Sequence, residues 1–216
     1  MNSEVNIGFL IYPNVTPLDA IGPAQMLSAV PNSRVHMIWK DLRPIPTDIG
    51  ITLNPTTTLS ECPDLDVLCV PGGFGQKALM DDQVVLDFLK RQGEQAQYVT
   101  SVCSGSLLLG AAGLLNGYQS ACHWALIDEL RSFGAEPVSS RVVRDRNRLS
   151  GGGVTAGVDF GLTLVAELVG EEFAKLVQLS TEYDPEPPFD AGSPSKAPPE
   201  LVEKVQRRFA EMWGSS

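Results

Sequence analysis

The residue best placed to do covalent chemistry is Cys103, because of what surrounds it. Thr100-Ser101-Val102-Cys103-Ser104-Gly105-Ser106 carries an apolar strand into a nucleophile-type residue, and small residues then open a helix. A sharp turn with little bulk beside it is how a nucleophile elbow exposes its reactive atom, and it can hold the central residue in a strained backbone conformation. The positive end of the following helix favours a thiolate. The N–H of Ser104 is then directed toward an anion developing on the reacting atom. A buried cysteine at a strand end fits the same residues; the Ser-Gly-Ser flank favours the nucleophile. Cys62, Cys69 and Cys122 read as core thiols.

Three other stretches could complete such a site. Asp19, in Thr16-Pro17-Leu18-Asp19, complements the positive end of a helix that Thr16 caps and Pro17 opens. It can equally face Cys103, since the strand ends of a parallel sheet converge on one edge. Shielded beside a thiolate, its carboxyl would share one proton with the sulfur and act as general acid. Gly72-Gly73 follows a strand and lets backbone N–H groups face a ligand, though it also suits an ordinary turn. With no GxxxxGK[ST] and no GxGxxG, a phosphate loop is not expected. His123, 20 residues after Cys103, either orients or deprotonates the thiol or is a satisfied, half-buried ring. Gly151–Gly153 with Val154 and Thr155 resembles a ligand-facing loop entering a helix, and Thr155 is also a good N-cap.

These residues need a sheet to gather them. Short apolar runs alternate with longer helical patterns, the signature of a mainly parallel sheet covered on both faces. Strands are expected at Val5–Tyr12, Arg34–Lys40, Asp66–Pro71 and Tyr98–Val102, a short hairpin at Ile45–Pro55 and a polar edge pair at Arg141–Ser150. Helices are expected from Thr16 toward Val30 (disturbed at Gly22-Pro23), at Asp81–Gln95, Gly105–Leu115, Trp124–Phe133, Thr155–Val169, Glu171–Tyr183 and Pro199–Trp213. Six prolines make Asp184–Pro199 an extended segment. The expected division is an α/β domain over 1–183, with a proline-rich segment and terminal helix over 184–216 packing on the body or on a dimer partner.

Composition narrows the function. Lys plus Arg is 16 against 26 Asp plus Glu in 216 residues, a net charge of −10. That balance argues against nucleic acid and anionic membrane surfaces, which need clustered cations. The N-terminal stretch has no basic region before its apolar run and reads as a first strand. Ser106–Leu115 is about half of the roughly 20 residues a membrane span needs. A cytoplasmic protein is therefore expected, with free thiols in a reducing compartment. With no CxxC pair and two histidines, no metal site is expected.

The Thr-Pro-Leu-Asp helix start, Pro71-Gly72-Gly73, the Ser101–Ser106 elbow, Cys122-His123-Trp124, Thr155–Asp159 and Pro185–Pro194 together resemble the ThiJ/PfpI superfamily, relatives of class I glutamine amidotransferases. Nearly the whole chain takes part, and the branch it is most similar to is that of the isocyanide hydratases. The resemblance implies a flavodoxin-like three-layer sandwich and a homodimer. It implies Cys103 as nucleophile and Asp19 as acid, where most enzymatic relatives carry Glu, and Ser104 in place of a usual Thr. Ser104, Gly72, Gly73, Val154, Thr155 and His123 are expected as supporting residues. The implied reaction, of the hydro-lyase (carbon–oxygen lyase) type, adds water to a small apolar isocyanide to give an N-substituted formamide through a cysteine thioimidate, with no cofactor. Two alternatives are a ligand-sensing module like that of AraC-type regulators and a redox-responsive stress protein. The regulators carry a further DNA-binding region, whereas one helix is expected after residue 199 here. A peptidase reading is weakened by Ser104 and the want of an adjacent histidine, and a glutaminase reading lacks a clear Cys-His-Glu set.

Overall fold

The computed structural model describes residues 4–214, so residues 1–3 and 215–216, the outer ends of the two expected spans, lie outside the described residues. The chain runs β1 (Val5–Leu10), α1 (Pro17–Leu27), β2 (Ser33–Trp39), β3 (Ile45–Pro46), β4 (Thr52–Leu53), β5 (Thr57–Thr58), β6 (Val67–Val70), a 3₁₀ turn (Phe74–Leu79), α2 (Gln83–Gln95), β7 (Tyr98–Val102) and α3 (Gly105–Ala111). It continues through β8 (Gln119–Ser120), a second 3₁₀ turn (Ile127–Phe133), β9 (Glu136–Pro137), β10 (Val142–Asp145), β11 (Arg148–Gly151), α4 (Ala156–Val169), α5 (Glu171–Ser180) and α6 (Pro199–Gly214).

Seven strands form the central sheet in the order β10-β11-β7-β6-β1-β2-β5. Every pairing is parallel except β10 with β11. The expected flavodoxin-like α/β sandwich is what forms. The crossover from β1 to β2 moves toward one edge of the sheet, and those from β6 to β7 and from β7 to β11 move toward the other. Right-handed crossovers therefore place α1 on one face and α2 and α3 on the opposite one. The packing agrees. α1 lies against α4, where a Cβ on Gly157 or Gly161 would meet Pro23 at 3.0–3.1 Å, while Gly93 of α2 abuts Leu114 just after α3. β6 and β7 are buried along their whole length, as a strand covered on both faces must be. Among the described residues no helix is long and apolar enough to cross a membrane.

Several local expectations are corrected. α1 is unbroken through Gly22-Pro23; the proline sits in the α1–α4 seam, so the packing around its ring tolerates the missing N–H. Thr16 precedes α1 but its hydroxyl does not cap it, donating instead to Asp48 Oδ2 at 2.6 Å. α3 stops at Ala111, and Gly113 follows at φ +77°. The segment after Trp124 is a 3₁₀ turn over Ile127–Phe133 and not a regular helix, and α5 ends at Ser180. Of the polar edge pair, only β10 is an edge; β11 pairs with β7 on its other side. The hairpin near residues 45–55 forms as β3 and β4.

Candidate active site

β1, β6 and β7 lie side by side, so the segments leaving their carboxyl ends meet at one spot, outside the sheet where the strand order reverses direction. β1 leads to Asp19, β6 to Gly72 and Gly73, and β7 to Cys103.

Cys103 has φ +58°, a left-handed conformation that a side chain adopts only at a cost of about 1–3 kcal/mol. Its surroundings over-determine it. Its N–H donates to the Gly151 carbonyl at 2.9 Å, carrying the β7–β11 pairing one residue past the strand. Directly after it, Gly105 crosses the end of β6 so closely that a Cβ would stand 2.0 Å from the Val70 carbonyl oxygen. The Ser-Gly-Ser flank therefore has a steric cause, and it produces the elbow the sequence suggests.

Asp19 is completely buried. Its Oδ2 accepts the Gly72 N–H at 3.0 Å, while Oδ1 has no hydrogen-bond partner. A Cβ on Gly72 would lie 2.8 Å from Asp19 Oδ2, from Ser104 N and from Ser104 Oγ, so only glycine fits between acid and elbow. Ser104 Oγ accepts the Gly73 N–H at 3.2 Å, and Gly73 itself sits at φ +139°. That leaves the Ser104 hydroxyl hydrogen, with the Ser104 N–H, to favour negative charge on the Cys103 sulfur.

Burial raises the Asp19 pKa to about 7, against the opposing pull of the Gly72 N–H and the Cys103 thiol. A helix-start carboxylate in water would titrate near 4, so Asp19 is not a mere dipole partner. The thiol corrects an expectation. Burial first, then the negative charge of Asp19 with a smaller contribution from neighbouring Cys122, pushes Cys103 well above its ordinary value, and the two Ser104 donors only oppose this. The helix start does not by itself hold a thiolate; Asp19 and Cys103 titrate as one pair and resist carrying two charges together.

His123 lies apart from this proton balance. Its Nδ1 accepts the Ala125 N–H at 3.3 Å, its ring stacks on Phe209 at 4.2 Å, and burial lowers its pKa to about 4. It is a neutral ring in the wall of a neighbouring cleft that Val154 and Thr155 also line. Thr155 precedes α4 without capping it; its hydroxyl and carbonyl accept from the Arg141 guanidinium. Cys69 and Cys122 are buried as expected, and Cys62 is partly exposed.

Two buried residues beside the Gly-Gly loop carry no local signal in the sequence. Tyr12 follows β1, fully buried, and donates its hydroxyl to the Pro71 carbonyl at 2.7 Å, tying the Gly-Gly loop to the β1 end. Its pKa is raised by burial and then by the charges of Asp19 and Cys103, which marks it as their neighbour. Gln76 is also fully buried, and neither atom of its amide has a partner. Both look in sequence like ordinary members of a strand end and a turn.

The model of the DJ-1/PfpI family matches residues 5–167. The chain belongs to the DJ-1/PfpI family. Among curated relatives it is 54% identical to an isonitrile hydratase of Pseudomonas putida over 95% of this chain and 90% of that one. It is 32% identical to the HTH-type transcriptional regulator GbdR of Pseudomonas aeruginosa over 83% of this chain but 51% of the regulator. Among solved structures, a ThiJ/PfpI family protein from Pseudomonas syringae superposes with a TM-score of 0.95 at 46% identity, covering 98% of this chain and 88% of that one. This DJ-1/PfpI chain is thus similar to an isonitrile hydratase along nearly its whole length, and to about half the length of a transcriptional regulator.

Proposed function

We propose that this chain is an isocyanide hydratase that converts R–N≡C and water to an N-substituted formamide through a covalent cysteine thioimidate. The observation that carries the reading is a fully buried carboxyl, pKa about 7, facing an elbow cysteine across a glycine. The terminal carbon of an isocyanide needs a nucleophile and a proton, and this pair holds one of each. Identity of 54% to an isonitrile hydratase over 95% of the chain supports the same reaction.

In the first step the Cys103 sulfur bonds to the terminal carbon. The thiol proton passes to Asp19 and from it to that carbon, giving R–N=CH–S–Cys103. A carboxyl poised near neutrality can both take and return the proton. Water then adds to the same carbon, its oxygen bonding there while a proton goes to nitrogen. The adduct collapses: the C–S bond breaks, a hydroxyl proton returns to sulfur by way of Asp19, and R–NH–CHO leaves. The N–H groups of Gly72 and Ser104 keep the acid and the sulfur in register throughout, and Gly73 holds the Ser104 hydroxyl. The chemistry is assigned to an α/β domain over 1–183, with 184–216 as an accessory segment. The protein is assigned as a cytoplasmic homodimer, for which the exposed apolar side chains of Leu176, Leu179 and Phe189 are suitable contacts.

Incubation with an alkyl or aryl isocyanide, with the formamide followed by mass spectrometry, tests the reading. Formamide is expected with the wild-type protein and only at the uncatalysed rate with a folded Cys103→Ala variant. Turnover by that variant would remove the nucleophile. A wild type that binds an isocyanide without converting it would favour the second reading, a ligand-sensing module, which the similarity to GbdR supports.

A further inference from the structure

Beside the elbow lies a cleft of about 480 Å³. Its volume falls within the roughly 300–1,000 Å³ of small-molecule sites and exceeds what a methyl group would fill. Its walls include the rings of His123 and Trp124, Val154 with Thr155, and Gly192 with Ser193. Cys103 itself does not line the cleft, but two stretches of its inner lining adjoin the elbow. Cys122 lines the cleft, and its thiol, kept neutral by burial that pushes its pKa up to about 12, is among the groups that act on the Cys103 sulfur. Gly152 and Gly153 line it too, one and two residues beyond the Gly151 carbonyl that holds the Cys103 N–H.

The outer wall is built differently. Gly192–Ser195 belong to the proline-rich stretch, which has no regular secondary structure. It is anchored by α6 behind it. Phe209 stacks on His123 at 4.2 Å and packs on Phe74, next to the Gly-Gly loop, at 5.4 Å; Lys77 donates to the Trp213 carbonyl. Past Trp124 an apolar recess of about 280 Å³ continues between residues 191–197 and Leu201, Val202 and Val205 of α6. This wall lies outside the family match, which ends at residue 167, whereas the similarity to the Pseudomonas putida isonitrile hydratase covers 95% of the chain and so takes in most of it.

We propose that the cleft is the receptor for the organic substituent of the substrate, and that residues 184–214 form the wall that selects it. The substituent is flat and bulky, an aryl or fused-ring group. It lies against the rings of His123 and Trp124, whose planes stand 31° apart with centroids 5.7 Å from one another. Over Gly153, where an added Cβ would meet nothing within 4 Å, there is room for its edge. The isocyano carbon then points inward past Cys122 to the Cys103 sulfur. This inference rests on the hydratase reading and adds which isocyanides are preferred.

The test fills the cleft from its outer wall. Gly192 borders both cavities, and a Cβ placed on it touches nothing within 4 Å, so larger side chains can enter without displacing backbone. The series Gly192→Ala, Gly192→Leu and Gly192→Trp is assayed for kcat/KM with 2-naphthyl isocyanide and with methyl isocyanide. The naphthyl-to-methyl ratio is expected to fall in step with side-chain size, at least tenfold for Gly192→Trp, and chiefly through KM. Should Gly192→Trp misfold, as judged by circular dichroism, Gly192→Leu carries the same expectation at about threefold. A ratio that stays constant across the series while wild-type turnover is normal overturns the receptor and leaves the hydratase reading intact. Wild-type protein that hydrates neither isocyanide overturns the hydratase reading and the receptor with it.

Discussion

The carboxyl ends of β1, β6 and β7 and the C-terminal wall over residues 184–214 meet where Phe209 packs on Phe74, next to the Gly-Gly loop, and are held by opposite means. At the strand ends the backbone does the holding. Cys103 is fixed by the Gly151 carbonyl, Asp19 by the Gly72 N–H and Ser104 by the Gly73 N–H, and Gly72 and Gly105 sit where no Cβ fits. In the wall, side chains do it: Phe209 on two rings, Lys77 on the end of α6, and no residue of α6 is buried. Backbone contacts inside a sheet tolerate almost no substitution, whereas ring stacks on a surface tolerate many. On the proposed reading, chemistry is lodged where the fold cannot drift, and recognition where it can.

The largest expected effect lies at the strand ends. Asp19→Asn should lower kcat by about 10²-fold or more, the usual range for losing a positioned acid–base group. The same variant should be more stable than wild type at high pH, for a reason that can be followed in sign. The folded-state pKa, about 7, lies above the ordinary value of 3.8. The folded protein therefore holds this proton more tightly than the unfolded chain. That stabilisation is complete below about pH 4 and is lost as pH rises to 7, where a buried charge remains. By linkage the loss amounts to up to about 4 kcal/mol. Asparagine can keep the bond from Gly72 without the charge. Melting temperatures of the two proteins should converge near pH 4 and separate above pH 7. Parallel curves would mean that Asp19 titrates like an exposed carboxylate.

What the sequence alone reveals follows the same division. Cys103, Ser104, Asp19 and Gly72-Gly73 are legible because each depends on neighbours in the chain: a strand running into small residues, a Thr-Pro start, a glycine pair after a strand. The parallel sheet is legible for the same reason, from apolar runs alternating with helical ones. Other features arise only on folding. The Thr16 hydroxyl goes to Asp48, more than thirty residues away, and so does not cap its own helix. The raised thiol pKa comes from burial, and burial is a property of the packed layers and not of the elbow motif. Tyr12 supports the loop through one hydroxyl bond to Pro71, which no spacing rule foretells. The cleft joins residues of 122–127, 139–141, 152–155 and 192–195, four stretches that become neighbours only in the fold.

A pair of substitutions of intermediate effect measures the contrast directly. Gly72→Ala puts a methyl group 2.8 Å from Asp19 Oδ2 and Ser104 N, and is expected to destabilise by about 1–3 kcal/mol, as overpacking does. It should also lower kcat, because acid and sulfur are pushed apart. Phe209→Ala removes far more atoms but from a surface stack, and the aromatic pairing it breaks is worth about 0.5–1.5 kcal/mol beyond its buried area. Its mark should be a higher KM for bulky isocyanides with kcat little changed. Denaturant unfolding with steady-state kinetics on both variants checks this. If the larger fall in kcat belonged to Phe209→Ala, the wall would be part of the chemistry and the division would fail.

The smallest expected effect isolates the strain at the elbow. Cys103→Ala and Cys103→Gly both remove the sulfur and should be equally inactive, so activity cannot separate them. Their backbones can. At φ +58° alanine still carries a Cβ in the left-handed region, at a cost of roughly 1–2 kcal/mol that glycine does not bear. Against that, glycine gives up more chain entropy on folding, by about 0.5–1 kcal/mol relative to alanine. Cys103→Gly is therefore expected to be the more stable of the two by about 1 kcal/mol or less, visible as a slightly higher denaturant midpoint at unchanged slope. Were alanine the more stable, the elbow would relax once the sulfur is gone, and the thiol itself would be what holds the strained turn in place.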